Sequence, residues 1–305
     1  MDIENILKNT YKKVNKLKGG KNADYIPELK KVNPNLFAIS VYTTDGKEYN
    51  IGDSSQEVAI ESVSKVFSLA LALEEYGEVI VNSKIGSEKS YSAFNSLKAI
   101  ENSKNKTINP FVNGGAMATT SLLYVKNKNN FKKKMTNNIN NFAGRKLSVN
   151  SKTFKSEMEF ISHNYSIGYL LDSYSRFYAP VPETVETYTH HCSLNVNSKD
   201  LAIMAATIAN EGINPKTGKK IIKKENIKPI INNMMKHGLY DYSDTWCKNI
   251  GMPAKSGVGG AIILIIPNVM GIGIISPPLD KYGNSYKGII TAKEIIKLMK
   301  IKHLC

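Results

Sequence analysis

Two residues in the segment 60–69 have the types and spacing that acyl-transfer chemistry requires. Ser62 and Lys65 stand three positions apart at the start of an apolar stretch that predicts a helix to about Tyr76. Positions three apart share one face of a helix, so we expect the Lys65 amine to reach the Ser62 hydroxyl. Ser62 also continues the apolar stripe of this helix, which directs the hydroxyl toward the core. The stripe consists of Val66, Leu69, Ala70 and Leu73.

An apolar environment would make this pair reactive. Burial removes the hydration that stabilises an ammonium group, so the pKa of a buried lysine falls. A neutral Lys65 can accept the Ser62 proton as the serine attacks a carbonyl carbon, and free N–H groups at the helix start can hold the oxyanion. The spacing alone is a weak signal in a chain with 41 Lys and Arg residues. By itself it equally suits a helix-terminal serine and a lysine that reaches the surface.

A second segment near the C-terminus strengthens the chemical interpretation. Lys255, Ser256 and Gly257 directly precede an apolar strand. A Ser-x-x-Lys pair together with a Lys-Thr-Gly strand occurs in the β-lactamases and penicillin-binding proteins. Ser256 takes the place of the threonine, and both residues carry a hydroxyl. The two segments together indicate a serine hydrolase.

The composition predicts a soluble, globular chain. Of its 305 residues, 42% are apolar and 22% are charged, so a large core can form in one domain or in two interleaved lobes. Residues 1–5 have neither a basic start nor an apolar core, so no signal peptide is expected. The most apolar region, 261–275, is interrupted by Pro267 and by glycines, and no apolar run approaches the ~20 residues of a spanning helix. We expect a cytoplasmic protein without membrane contact.

The cysteines and the net charge add weaker information. Cys192, Cys247 and Cys305 are an odd number without the spacing of a disulfide framework, which suits a reducing compartment. The net charge of +15 invites a nucleic-acid interpretation. The lysines are nevertheless scattered through a chain rich in Lys, Asn and Ile, and they are seldom interleaved with aromatic residues. A general compositional bias explains the charge better, and no nucleic-acid partner is expected.

The order of predicted elements indicates an α/β fold of the α+β type. An amphipathic N-terminal helix ends at Gly19, and a strand hairpin over 36–51 precedes the Ser62 helix. A second hairpin over 261–275 precedes a helix over 291–300. Strands near both chain ends predict one antiparallel sheet packed with helices, with a mostly helical lobe in the middle. The helices predicted in between cover 117–124, 131–142, 165–177, 198–210 and 224–236.

Further motifs occur in order along the chain, and together they are specific. The series closely resembles the serine-dependent glutaminase family, which shares the β-lactamase-like fold, and the match runs from Ala23 almost to the C-terminus. The motifs are ADYIP at 23–27, SVSKVF at 62–67, FNS at 94–96, NPFVNGGA at 109–116, CS at 192–193, GLYD at 238–241, PAKSGVGG at 253–260, SPPLD at 276–280 and GNS at 283–285.

The resemblance implies an amidohydrolase that converts L-glutamine to L-glutamate and ammonia through an acyl-enzyme on Ser62. It also implies that Lys65 is the general base, that Tyr188 passes protons near the serine, and that Lys255 supplies a field that keeps Lys65 neutral. A single catalytic domain would span 1–305, with a sheet-containing lobe at 24–80 and 221–305 and a helical lobe at 81–220. The positions that match the family's substrate contacts are Ser62, Asn113, Glu157, Asn164, Tyr188, Tyr240 and Val258.

The chemistry of these residues suits the roles that the resemblance implies. Glu157 can pair with the α-ammonium group of an amino acid, and the amides of Asn113 and Asn164 can donate to its α-carboxylate. Tyr240 would line the pocket, and the Val258 N–H would join that of Ser62 in the oxyanion hole. Taken one by one, the same residues have plainer interpretations, as a solvated carboxylate, loop asparagines or core tyrosines.

Three residues bear on how far this chain departs from the family's pattern. Glu61 stands before the nucleophile, where the family usually has Gln. A carboxylate there raises the pKa of Lys65 and opposes its use as a base, unless Glu61 points away or pairs elsewhere. His163 stands where an arginine usually precedes the asparagine, and the small residue after Asn113 is Gly114. These residues affect the expected efficiency and pH optimum more than the reaction.

Other functions stay open at this point. A β-lactamase-like serine hydrolase is disfavoured because the chain has no Ser-Asp-Asn motif and no signal peptide. A catalytically weak or inactive amino-acid-binding relative remains compatible with Glu61. A metal site at His190, His191 and Cys192 with His163 lacks suitable ligand spacing, and we expect no cofactor. The resemblance implies a homodimer or homotetramer.

Overall fold

A computed structural model of the protein describes residues 2–89, 96–103, 107–301 and 303–304. Phe94 and Asn95 of the FNS motif, and Cys305, lie outside these residues. The elements are α1 (Ile3–Val14), α2 (Pro27–Lys30), β1 (Ala38–Thr43), β2 (Glu48–Gly52), β3 (Val58–Ala59), a 3₁₀ turn (Glu61–Val63), α3 (Ser64–Lys84), α4 (Leu97–Asn102), α5 (Asn113–Leu122), α6 (Lys128–Ala143), α7 (Ser151–Glu159), α8 (Ser162–Ser173), α9 (Val181–Cys192), β4 (Asn195–Val196), α10 (Ser198–Ala209), a 3₁₀ turn (Lys224–Asn226), α11 (Ile227–His237), a 3₁₀ turn (Tyr240–Tyr242), α12 (Ser243–Asn249), β5 (Ala254–Ser256), β6 (Ala261–Ile266), β7 (Met270–Ile275) and α13 (Tyr286–Met299).

A five-stranded antiparallel sheet joins the two ends of the chain. Its strand order is β2-β1-β7-β6-β5, so the first hairpin pairs with the last one through β1 and β7. Strands β6 and β7 are buried along their whole length because helices cover both faces of the sheet. Helices α1 and α13 lie on one side and α10 on the other. The α/β fold predicted from the sequence, with a sheet built from both chain ends, is confirmed.

Helix α10 lies directly against β7 because two glycines of that strand leave room for its backbone. A Cβ atom at Gly271 would lie 2.1 Å from the backbone nitrogen of Ala206, far inside van der Waals contact. The start of α10 is defined by a capping box between Asn197 and Asp200, whose side chains each accept from the backbone N–H of the other. The helix therefore forms a fixed layer between the sheet and the helical middle of the chain.

Several element boundaries differ from the sequence predictions. Helix α1 ends at Val14 instead of Gly19, because the chain leaves the helix and pairs at Lys21 with Leu279. Ser62 lies in a 3₁₀ turn that precedes α3, and α3 continues past Tyr76 across a non-helical Gly77. The short strands β3, β4 and β5 and the helices α7, α9 and α12 were not predicted.

Of the described cysteines, Cys192 is a free, buried thiol and Cys247 takes part in a disulfide bond. In the described part of the chain, no helix combines the length and the apolar character needed to cross a bilayer. The same residues hold no group of three or more His, Cys, Asp or Glu side chains arranged to bind a metal.

Candidate active site

One cavity brings together residues that are far apart in the sequence. It has a volume of about 280 Å³, which suits a small metabolite rather than a polymer. Its walls come from the 3₁₀ turn at Glu61–Val63, from α5, α7, α8 and α9, and from the loop after β5. Six of the positions expected to contact substrate line it, namely Ser62, Asn113, Glu157, Asn164, Tyr188 and Val258.

Ser62 stands on a firmly held turn. The segment before it is fixed by the β3–β4 pair and by the Ile60 N–H, which donates to the Leu194 carbonyl over 2.9 Å. Glu61 has a φ of 51°, a left-handed conformation that is uncommon for residues other than glycine. The turn leaves Ser62 half-buried, with its side chain at the cavity wall. The Tyr240 hydroxyl donates to the Ser256 carbonyl oxygen over 3.2 Å, and Ser62 is among the groups that affect its pKa.

The Lys65 amine is buried behind the cavity and is held by two acceptors. It donates to the Phe111 carbonyl oxygen over 3.1 Å and to the Asn113 Oδ1 over 2.7 Å. Burial lowers the pKa of Lys65 to about 8, against the smaller opposing effects of Cys192 and Glu61. The Lys65 amine therefore donates to Asn113, the first residue of α5, and to Phe111, which precedes the N-cap of that helix. The sequence had suggested a contact with Ser62 instead.

Lys255 lies deeper than the cavity wall, beside Tyr240. Its amine donates to the Ser256 carbonyl over 2.6 Å and lies 4.7 Å from the centre of the Tyr240 ring. Burial, and secondarily Lys65, hold the pKa of Lys255 well below its ordinary value. Burial is also the largest cause of the lowered pKa of Lys65. Neither Tyr240 nor Lys255 is part of the cavity wall.

The loop after β5 lies against the turn that carries the nucleophile. A Cβ atom at Gly257 would lie 2.7 Å from the Ile60 carbonyl oxygen and 3.3 Å from the Ser62 nitrogen, so only glycine permits this approach. The Val258 N–H has no acceptor among the described residues. The N–H groups of Val258 and Ser62 thus stand on two adjoining segments at one end of the cavity, which is the arrangement an oxyanion hole requires.

The opposite wall carries the amide and carboxyl groups. The Asn113 Oδ1 accepts from Lys65 and, over 3.4 Å, from the Tyr188 hydroxyl, which leaves its NH₂ group free to donate. Glu157 on α7 and Asn164 on α8 also line the cavity. Tyr188 is buried on α9, and burial holds the pKa of its hydroxyl well above the ordinary value. The cavity therefore presents amide donors and a carboxyl group together with the serine.

Glu61 and Glu157 meet in this cavity, although 96 positions separate them in the sequence. Burial raises the pKa of Glu157 to about 7, and its interaction with Glu61 partly offsets the rise. Burial and the neighbouring Glu157 hold the pKa of Glu61 well above its ordinary value, against the smaller effect of Lys65. Glu61 thus interacts with Glu157 as well as with Lys65.

Six further residues of the cavity wall had no role assigned from the sequence, or only a minor one. Tyr25 and Phe160 are 55% and 59% exposed. The others are Ile26, His163, Thr189 and Cys192. Tyr25 belongs to the ADYIP motif, which was the only sequence signal for it. No pattern marked Phe160 as a cavity residue, because its neighbours form an ordinary amphipathic helix end.

Comparisons with known proteins agree on one family. A family model described as Glutaminase matches residues 20–303. A glutaminase of Colwellia psychrerythraea is 44% identical over 285 residues, covering 93% of this chain and 92% of the relative. A solved structure of a probable glutaminase superposes with a TM-score of 0.97 at 38% identity, over 99% of this chain and 97% of the other. A probable glutaminase from Bacillus subtilis complexed with 6-diazo-5-oxo-L-norleucine superposes with a TM-score of 0.87 at 26% identity, over 100% and 96% of the two chains.

Proposed function

The chain belongs to the glutaminase family and is a glutaminase with the β-lactamase-like fold, and we propose that its reaction proceeds through an acyl-enzyme on Ser62 with Lys65 as general base. One observation carries this mechanism. The Lys65 amine is buried beside the nucleophile's cavity, with its pKa lowered to about 8 and two hydrogens directed at oxygen acceptors. A neutral amine that donates two hydrogens keeps its lone pair for a proton from the serine.

The proposed steps follow from these positions. The Ser62 oxygen attacks the side-chain amide carbon of L-glutamine while Lys65 takes the serine proton. The N–H groups of Ser62 and Val258 stabilise the oxyanion. The tetrahedral intermediate then breaks its C–N bond, Lys65 returns the proton to the leaving nitrogen, and ammonia departs. Lys65 next removes a proton from water, and the water oxygen attacks the ester carbon. The bond from that carbon to the Ser62 oxygen then breaks, Lys65 returns the proton to the serine oxygen, and L-glutamate leaves.

The remaining cavity residues suit the α-ammonium and α-carboxylate groups of an amino acid. Glu157 would pair with the α-ammonium group, while Asn113 and Asn164 would donate to the α-carboxylate. Tyr188 and Tyr240 would hold hydroxyl groups near the reacting atoms. The relative from Bacillus subtilis was solved with an L-amino-acid derivative, which supports recognition of an α-amino acid here.

The same proposal covers the organisation of the chain. One catalytic domain spans 1–305, and its cavity is lined by residues of the sheet-containing lobe (24–80 and 221–305) and of the helical lobe (81–220). We also propose a homodimer or homotetramer in the cytoplasm, without a cofactor.

Ammonia release from L-glutamine by the purified protein tests this function. We expect turnover by the wild type and a loss of at least ~10³-fold in Ser62→Ala, since the nucleophile is removed. L-asparagine and a chromogenic β-lactam serve as comparison substrates. Binding of L-glutamine without turnover between about pH 6 and 9, where a tuned lysine titrates, would leave an amino-acid-binding protein instead of an enzyme.

A further inference from the structure

We propose that Asn109 is a positioning residue for the general base: its side chain holds the 109–112 turn so that the Phe111 carbonyl oxygen faces the Lys65 amine. This inference deepens the proposed function and rests on it, because it concerns the base of the same reaction. Asn109 does not line the cavity, so it acts on the reaction through Phe111 and Lys65.

The hydrogen bonds of the Asn109 side chain are the first support. Its Oδ1 accepts from the Phe111 N–H over 2.9 Å and from the Val112 N–H over 3.1 Å. Its Nδ2 donates to the Glu88 carbonyl oxygen over 2.9 Å. The residue is only 1% exposed, so water does not compete for these bonds. An asparagine that accepts from the backbone two residues further on fixes the conformation of the turn that follows it.

The peptide unit between Phe111 and Val112 is the second support. In a trans peptide the N–H and the C=O of one unit point in opposite directions. Asn109 holds the N–H of this unit on one side, and the carbonyl oxygen on the other side accepts from the Lys65 amine over 3.1 Å. Asn113 supplies the second acceptor of the amine. Two fixed acceptors set two hydrogens of a neutral amine and thereby the direction of its lone pair.

The backbone before the turn is held in a strained conformation. Ile108 has a φ of 77°, which β-branched residues adopt only at a cost in free energy. Its carbonyl oxygen accepts from the Glu88 N–H over 2.8 Å. On the other side, a Cβ atom at Gly115 of α5 would lie 1.9 Å from the Asn109 carbonyl oxygen. Strained backbone persists where the surrounding structure fixes it, so Asn109 is itself held in place.

A second turn of the chain has the same hydrogen bonds without a base beside it. Asn214 Oδ1 accepts from the Lys216 N–H over 2.9 Å and from the Thr217 N–H over 3.1 Å. Its Nδ2 donates to two backbone carbonyl oxygens near the end of α6. Asn214 is fully buried, and it does not line the cavity. Substitutions at Asn214 therefore measure what the loss of such a turn does to stability alone.

The test is the steady-state turnover of L-glutamine at pH 9, where Lys65, with its pKa lowered to about 8, is mostly neutral. Asn109→Ala is expected to lower kcat at least ~30-fold with KM within about threefold, since a catalytic group displaced by about 1 Å can cost ~10²-fold. Asn109→Ser keeps a hydroxyl that accepts from the turn more weakly. Its kcat should lie at least threefold above that of Asn109→Ala and at least threefold below that of the wild type.

The matched variants Asn214→Ala and Asn214→Ser should keep kcat within about twofold, while the melting temperature falls in both pairs. An unchanged kcat in Asn109→Ala overturns the inference, as does a raised KM at unchanged kcat. Equal kcat in Asn109→Ala and Asn109→Ser, or an equal loss of kcat in the Asn214 pair, also overturns it, because either result reflects stability instead of the turn's acceptor.

Two further variants keep the outcome clear. If Asn109→Ala does not fold, Asn109→Ser decides: a threefold or greater loss of kcat with unchanged KM, beside an active Asn214→Ser, supports the inference, and wild-type kcat overturns it. Lys65→Ala separates the inference from the function on which it rests. Turnover that survives Lys65→Ala overturns the proposed base itself. An inactive Lys65→Ala together with full kcat in Asn109→Ala overturns the positioning role only.

Discussion

The Lys65 amine and the Asn113 Oδ1 are joined by a 2.7 Å hydrogen bond that links the first turn of α3 to the first residue of α5. Asn113 also lines the cavity, so one side chain contacts both the proposed base and the space for the substrate. The charge state of the base is therefore sensitive to the residue at this position, and the first prediction follows from that contact.

Asn113→Asp should raise the pKa of Lys65, because a carboxylate next to the amine favours the ammonium form. We expect kcat at pH 7 to fall at least ~10-fold, and the midpoint of the kcat profile to move up by one pH unit or more. Asn150→Asp is a matched control, since Asn150 caps α7 through its side-chain oxygen and an aspartate can do the same. An unchanged midpoint in Asn113→Asp would contradict the assignment of Lys65 as the titrating base.

The pH dependence of the wild type should separate the two buried groups. Glu157, with a pKa raised to about 7, must lose its proton to bind the ammonium group, and Lys65, with a pKa lowered to about 8, must lose its proton to act as base. The logarithm of kcat/KM should therefore rise with a slope near two below pH 7 and level off above pH 8. In kcat the slope should be near one, because the bound substrate keeps Glu157 ionised. Steady-state kinetics between pH 5.5 and 9 would measure both slopes. A kcat/KM profile that is already level at pH 6 would contradict the assignment of Glu157 and Lys65 as the titrating groups.

Gly257→Ala should impair catalysis more than folding. The added methyl group would lie 2.7 Å from the Ile60 carbonyl oxygen, so the loop must move away from Ser62 and carry the Val258 N–H with it. Loss of one oxyanion donor lowers kcat by roughly 10²–10³-fold. Gly271→Ala is the contrasting variant, because its methyl group would meet α10 far from the cavity. We expect that variant to lower the melting temperature while the folded fraction keeps its kcat. A Gly257→Ala variant that keeps its kcat and only melts at a lower temperature, beside a Gly271→Ala variant that loses kcat, would exclude the proposed oxyanion hole.

The sequence predicted four of the five strands of the sheet, because β1, β6 and β7 are apolar runs and a clear turn separates the two strands of each hairpin. The strands β3, β4 and β5 are only two or three residues long, and β5 contains Lys255, so no periodic pattern could mark them. Helix α9 was missed for a related reason, since its threonines and histidines weaken the apolar signal although most of them are buried. Tertiary packing, rather than local preference, forms these elements.

The sequence predicted most of the residues of the candidate site, but not the contacts between them. Six of the expected substrate positions line one cavity. The quoted motifs contain three of them, Ser62, Asn113 and Val258, whereas the other three were matched only through the family resemblance. The partners of Lys65 and of Glu61 were not foreseen. Both partners, Asn113 and Glu157, come from helices that are distant in the sequence, and the direction of a side chain in a 3₁₀ turn cannot be derived from helical spacing.

The two buried lysines also couple the folding of this protein to protons. In the unfolded chain Lys65 has its ordinary pKa of 10.5, whereas in the native state the value is about 8. Between these two pKa values the unfolded chain binds more protons than the native state, so the free energy of unfolding rises with pH in this range. At pH values below the native pKa, Lys65 is charged in both states, and its buried charge destabilises the native state by the full amount. Lys255 acts in the same direction. Folding at alkaline pH therefore releases protons from these two lysines. The burial that lowers the pKa of Lys65 for catalysis also destabilises the native state at neutral pH.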